Sequence, residues 1–218
     1  MRDYGVIFDV DGVIVASGPP HRDSWRRLAA EVHVPMSDEF FARTFGQTNK
    51  DILEALFGRA LPDEEWRTLG DRKEALYLEI IRRNVPAMPG AVELVEALHG
   101  DGARLAVGSS GPPENIELCL RAMGIRRYFG VVVTGDDVTR GKPDPQVFLL
   151  ASERLGIAPG LCVVVEDAVI GVEAAKRAGM RAVALTSSHP RDAFARADLV
   201  VDSLTELTPE LLCGLIDS

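Results

Sequence analysis

At 218 residues, with 46% hydrophobic and 26% charged side chains, the chain has the composition of an ordinary folded protein able to bury a sizeable core. A formal charge of −9 argues against a nucleic acid or an anionic membrane as partner. No basic segment followed by a long apolar one opens the sequence, and no apolar stretch approaches membrane-spanning length, so the expectation is a cytoplasmic protein with no membrane contact.

The apolar run over 4–8 predicts a first strand buried on both faces, and it ends in Asp9-Val10-Asp11-Gly12, where Gly12 marks a turn. Two carboxylates one residue apart at a buried strand end need a cation or a shared proton. The pair suits a magnesium-assisted reaction in which one carboxylate attacks and the other moves a proton. Asp-x-Asp-Gly also reads as a plain turn, and the segment alone leaves both readings open.

From about 16 to 86 no strand is predicted. Helical spacing runs over 21–32 (Trp25, Leu28, Ala29, Val32), 37–44, 49–57 and 63–83. This block reads as an all-helical insertion over one end of a sheet, joined through Gly18-Pro19-Pro20 and Val85-Pro86-Ala87-Met88-Pro89-Gly90. The alternative is one continuous α/β domain with extra helices.

Beyond the insertion, apolar runs at 104–108, 131–134, 162–166, 182–185 and 198–201 predict further strands. Helices are predicted over 89–99, 113–123, 144–155 and 168–178, with Gly100, Gly124, Gly156 and Gly179 just past their ends. Strands alternating with helices predict an α/β unit with a parallel sheet. Cys119, Cys162 and Cys213 are odd in number and set in apolar contexts, which predicts buried structural thiols. His33, His99 and His189 lack partners at metal-site spacing and are expected at surface or helix-cap positions.

Open parallel sheets bind ligands at the carboxyl ends of their strands. Polar residues gather there: Asp9 and Asp11 after the first strand, Ser109 and Ser110 after 104–108, Lys142 in the loop after 131–134, and Glu166 and Asp167 after 162–165. Each has a bland reading. Ser109-Ser110-Gly111-Pro112 could start a helix, Lys142 could be a solvated loop residue, and Glu166-Asp167 could complement a helix dipole. Their coincidence at four strand ends points to a site, with phosphate at a helix start as one ligand.

The series Phe8-Asp9-Val10-Asp11-Gly12-Val13, Val107-Gly108-Ser109-Ser110-Gly111, Gly141-Lys142-Pro143 and Val165-Glu166-Asp167 resembles the four ordered motifs of the haloacid dehalogenase superfamily. It is most similar to the branch of β-phosphoglucomutase and small phosphosugar phosphatases. The resemblance implies a Rossmann-like doubly wound parallel sheet core over 1–15 and 87–218, with an all-helical cap domain inserted over 16–86. It implies Asp9 as nucleophile forming an aspartyl-phosphate, Asp11 as general acid then base, Ser109 on a phosphate oxygen and Lys142 offsetting charge. Magnesium would be held by Asp9, the Asp11 carbonyl and Asp167, with Glu166 on the ion or just behind its ligands.

His21, Thr48, Asn49 and Lys73 match cap positions that face substrate in the family, His21 with possible contact to Asp11, and Ser110 joins them as a substrate contact. Two departures matter. Ala16-Ser17 stands where similar sequences read Asp-Ser, and Asn49 stands where the mutase pattern has an Arg, whose bidentate cationic fork Asn lacks.

The expected function is a magnesium-dependent phosphatase acting on a small phosphorylated metabolite of sugar-phosphate type, as a monomer or weak homodimer. A phosphosugar mutase is the nearest alternative. A non-enzymatic phospho-acceptor or phosphate-binding module is a further one.

Overall fold

The structure, a computed structural model, describes residues 3–44 and 47–217. In chain order, β1 (Gly5–Phe8) is followed by α1 (Gly18–Glu31), α2 (Asp38–Thr44), α3 (Asn49–Phe57) and α4 (Asp63–Ile81). Helices and strands then alternate: α5 (Ala91–Asp101), β2 (Arg104–Gly108), α6 (Pro113–Ala122), β3 (Phe129–Val133), α7 (Gln146–Leu155), β4 (Cys162–Glu166), α8 (Val169–Arg177), β5 (Arg181–Leu185), β6 (Leu199–Val201) and α9 (Pro209–Ile216). Two compact units result, one of Met1–Ala16 and Pro86–Ser218, the other of Ser17–Val85.

The first unit carries a six-stranded sheet in the order β3-β2-β1-β4-β5-β6, parallel at every pairing. Its strands are runs of Val, Ile, Leu and Ala because both faces are covered; Val6, Ile7, Phe8, Val163, Val164 and Val165 are all wholly buried. Helix α7 lays Phe148 against the sheet, and a side chain at Gly108 would stand 3.0 Å from that ring. The chain runs outward from β1 through β2 to β3, then returns to the other side of β1 with β4. This reversal opens a crevice at the carboxyl end of β1. Register fills it: Phe8 lies opposite both Val107 and Val165, so Asp9, Gly108-Ser109 and Glu166-Asp167 leave the sheet side by side.

Residues 10–15 coil tightly after β1, with the N–H groups of Val13, Ile14 and Val15 all donating to the Val10 carbonyl. The chain then pairs with its own return segment, Ala16 N donating to Pro86 O at 2.7 Å and Met88 N to Ile14 O at 2.9 Å.

The second unit is helical. Trp25 and Leu28 of α1, Ile52 and Leu53 of α3, Leu61 just before α4 and Leu76 within it form its core, with Phe40, Phe41, Phe57 and Trp66 packed around them. No helix among the described residues is long and apolar enough to cross a membrane.

The α/β expectation holds, with local corrections. Gly18-Pro19-Pro20, expected as a connection, forms the first turn of α1, because proline's fixed φ and missing N–H suit a helix start. Gly100, expected past a helix end, lies inside α5; Gly102 takes the left-handed position instead. Helix α7 begins at Gln146 rather than 144, its N–H accepted by the Asp144 carboxylate. Strand β3 reaches back to Phe129, with a register shift beside Leu105 and Ala106. Helix α9 was not predicted, although Thr208-Pro209-Glu210 announces it: the Thr208 hydroxyl accepts from Leu211 N and Pro209 opens the helix. Cys119 and Cys162 are buried thiols, and burial pushes Cys162 up to about 11. Cys213 is only half-buried.

Candidate active site

Lys142 is the hub of the crevice. Its ammonium donates to Asp9 Oδ1 at 2.7 Å, to Glu166 Oε1 at 2.7 Å and to the Gly108 carbonyl at 3.2 Å, and lies 4.8 Å from the centre of the Phe148 ring. Three strand ends, those of β1, β2 and β4, thus share one cation. Asp9 is placed by its own N–H, which donates to Val165 O and continues the β1–β4 ladder one residue past the strand.

Glu166 uses its second oxygen to accept from the N–H groups of Asp167 and Ala168, both at 2.8 Å. With 1% of its surface exposed and both oxygens engaged, it holds Lys142 and the start of α8. Of the two places expected for Glu166, on the ion or just behind its ligands, these bonds to Lys142 and the backbone suit the second. Asp167 turns the other way. Its Oδ2 accepts from Ser188 Oγ and lies 3.3 Å from Ser187 Oγ. Gly12, at φ +75°, packs so closely that a Cβ there would stand 1.9 Å from the same oxygen.

At the end of β2, Ser109 is buried and its Oγ accepts from Gly111 N at 3.1 Å, which leaves the hydroxyl's own proton for an incoming oxygen. A Cβ on Gly111 would lie 3.7 Å from Asp11 Oδ2, so the half-buried Asp11 carboxylate borders this turn. Ser110 is exposed.

Electrostatically the crevice is rich in negative charge: Asp9, Asp11, Glu166 and Asp167 interact with one another around Lys142. Burial pushes Asp9 well above the usual carboxylate range; Lys142 opposes this, while Glu166, Asp11 and Asp167 add to it. Burial, then Glu166, raises Asp167 to about 7, against the Ser188 hydrogen bond. Burial alone would lower Lys142, but Asp9 and Glu166 outweigh it and hold the ammonium charged. Such an excess calls for a second cation.

Among the described residues no three His, Cys, Asp or Glu side chains converge as a metal cage. Magnesium needs none. It binds through one or two carboxylates, keeps several waters and takes phosphate oxygens. Asp9 and Asp167 with a backbone carbonyl are hard oxygen donors of that kind, so the residues present fit the ion.

In the helical unit, His21, Asn49 and Lys73 meet around Glu74, which the sequence did not single out. Lys73, 2% exposed, donates to Glu74 Oε1 and contacts His21 Nδ1, both at 2.9 Å, beneath the rings of Trp25 and Tyr77. Asn49 Nδ2 donates to the same Glu74 oxygen at 2.9 Å, and His21 stacks on Tyr77 at 4.1 Å. Thr48 stands apart: it is exposed and caps α3, its Oγ accepting from Asp51 N and donating to Asp51 Oδ2.

Sequence reasoning missed the loop after β5. Ser187, Ser188 and His189 all touch Asp167, and the rule that pointed to four strand ends points to this fifth one as well.

Comparison with known proteins gives a consistent picture. The description "haloacid dehalogenase-like hydrolase" matches residues 5–179. Validoxylamine A 7'-phosphate phosphatase of Streptomyces hygroscopicus subsp. limoneus is 34% identical over 208 residues, covering 92% of this chain and 94% of that protein. Beta-phosphoglucomutase of Bacillus subtilis is 33% identical, covering 95% of this chain and 92% of that one. Among solved structures, a HAD hydrolase of family IA, variant 3, from Entamoeba histolytica superposes with a TM-score of 0.91 at 25% identity, over 99% of this chain and 100% of that chain.

Proposed function

The chain belongs to the haloacid dehalogenase-like hydrolases, and on that premise we propose that Asp9 attacks the phosphorus of a small metabolite's phosphate ester and forms an aspartyl-phosphate that water then hydrolyses. The activity is that of a phosphoric monoester phosphatase, and the relatives' names support a sugar phosphate as substrate class.

The observation that carries the reading is the Lys142 bridge. An ammonium held at 2.7 Å from both Asp9 and Glu166 keeps a positive charge beside the attacking carboxylate, where a phosphoryl group brings more negative charge. Ser109 donates its hydroxyl proton to a phosphate oxygen, and the exposed Ser110 adds a second contact. Asp11 gives a proton to the leaving alcohol and later takes one from the attacking water. A magnesium ion held by Asp9, the Asp11 carbonyl and Asp167 supplies, when bound, the further positive charge that lets an anionic ester approach. Substrate choice is assigned to the helical unit's cluster of His21, Asn49 and Lys73.

Asp9→Asn tests this. The amide is nearly isosteric but a poor nucleophile, so phosphate release from a panel of phosphorylated metabolites with magnesium is expected to stop while the fold persists. Retained turnover would remove Asp9 from the nucleophile role.

A second reading, phosphosugar mutase, has the likeness to beta-phosphoglucomutase in its favour. Against it stands Asn49, whose amide binds Glu74 and brings no cation for a second phosphate. Incubation with a hexose 1-phosphate and its bisphosphate separates the two. Isomerised sugar without net phosphate release would overturn the phosphatase reading.

A further inference from the structure

The loop after β5 reads Thr186-Ser187-Ser188-His189-Pro190 and touches Asp167 and its surroundings at several points. Ser188 Oγ donates to Asp167 Oδ2. Ser187 Oγ donates to the Gly12 carbonyl at 2.6 Å, which ties the loop to the turn after β1, and lies 3.3 Å from the same Asp167 oxygen. His189 Nδ1 stands 3.3 Å from the Asp167 carbonyl. On the other side, the bare Cα of Gly12 lets the carboxylate approach where a Cβ would meet Oδ2 at 1.9 Å. The Asp167 carboxylate is therefore held between a glycine from one loop and two hydroxyls from another.

We propose that Ser188, with the loop anchored by Ser187, is a positioning residue for the divalent ion: its hydroxyl fixes Oδ2 of Asp167 and so sets the direction of the carboxylate that would hold the ion. The inference rests on the metal-assisted reading above. A hydroxyl suits the task. It offers the carboxylate a donor without adding a fifth negative charge to Asp9, Asp11, Glu166 and Asp167. It also brings no positive charge that would compete with the ion, as a lysine would. Partners behind a metal ligand orient it and stabilise its charged form, and their removal weakens metal binding without touching the ligand itself.

Calorimetric titration of magnesium into the substrate-free protein tests the assignment, with wild type, Ser188→Ala, Ser188→Thr and Ser187→Ala compared. Ser188→Ala is expected to raise the dissociation constant about tenfold or more. Ser188→Thr, which keeps the hydroxyl, is expected to bind as wild type does, and Ser187→Ala to fall between. Because Ser188 is exposed, Ser188→Ala is expected to stay folded in chelator, with a single cooperative thermal transition. An unchanged or tighter dissociation constant in Ser188→Ala would overturn the positioning role, as would weakening that Ser188→Thr does not rescue. A wild-type protein that binds no magnesium would sink the metal-assisted reading together with this one.

Discussion

Gly171, in the first turn of α8, faces Glu166 so closely that a Cβ on it would stand 1.8 Å from Oε1, the oxygen that accepts from Lys142. The bare Cα at this position is what allows a carboxylate to lie under the helix start and reach the ammonium. Helix propensity pulls the other way, since glycine inside a helix costs about 1 kcal/mol relative to alanine. The site geometry and the helix are in conflict here, and the site prevails.

Gly171→Ala is accordingly expected to push Glu166 aside and carry Lys142 away from Asp9. A displacement of about 1 Å at a catalytic group reduces turnover on the order of 100-fold. Steady-state kinetics with a phosphorylated metabolite measure the loss, and circular dichroism is expected to show α8 intact. Wild-type turnover in this variant would mean that Glu166 has room to yield without moving Lys142.

The excess of carboxylates predicts a stability that depends on magnesium. Asp9, Asp11, Glu166 and Asp167 gather around Lys142 and raise one another's proton affinity, so the folded site gains when a further cation enters. Saturation at one hundred times the dissociation constant stabilises by about 2.7 kcal/mol. For a chain of this size that is a rise of roughly 5–10 °C in thermal midpoint. Differential scanning calorimetry with magnesium and then with excess chelator reads the shift directly. Coincident transitions under the two conditions would contradict a divalent ion in this crevice.

The parts of the site that could be read from the chain are those in which local chemistry has few alternatives. Acids, serines and a lysine following Val-rich runs announce strand ends, and strand ends are where open sheets bind. The hidden parts depend on tertiary geometry. Glu166 and Asp167 are adjacent acids with nothing local to tell them apart; only the direction in which β4 leaves the sheet sends one toward Lys142 and the other toward Ser188. Ser187 and Ser188 look like ordinary turn residues until the β5 register brings them beside the turn after β1. Thr48 shows how a local role can be read directly. A threonine followed three residues later by Asp51 is a helix start on local grounds, and that local role is the one the structure gives it.

Glu74 carries the last prediction. Burial works against its charge, but Lys73 and the hydrogen bonds from Asn49 and Lys73 outweigh burial and hold the carboxyl below its ordinary value. A folded-state value below the unfolded one means stability that is present in full above the ordinary value of 4.5 and is lost as pH falls through the folded value. Hydrogen bonds to a charged group contribute about 1.5–3 kcal/mol. Glu74→Gln is therefore expected to destabilise the helical unit by about 2 kcal/mol at pH 7. The gap from wild type is expected to narrow as pH falls below 4.5 through the folded value, where Glu74 itself becomes neutral. Other carboxylates also protonate on the way down, so the difference between variant and wild type isolates this one group. Trp25 and Trp66, the chain's two tryptophans, both lie in the helical unit, so urea unfolding followed by fluorescence reports on it selectively. A gap that keeps its size as pH falls, down to the acid limit of the folded state, would show that Glu74 contributes through shape rather than charge.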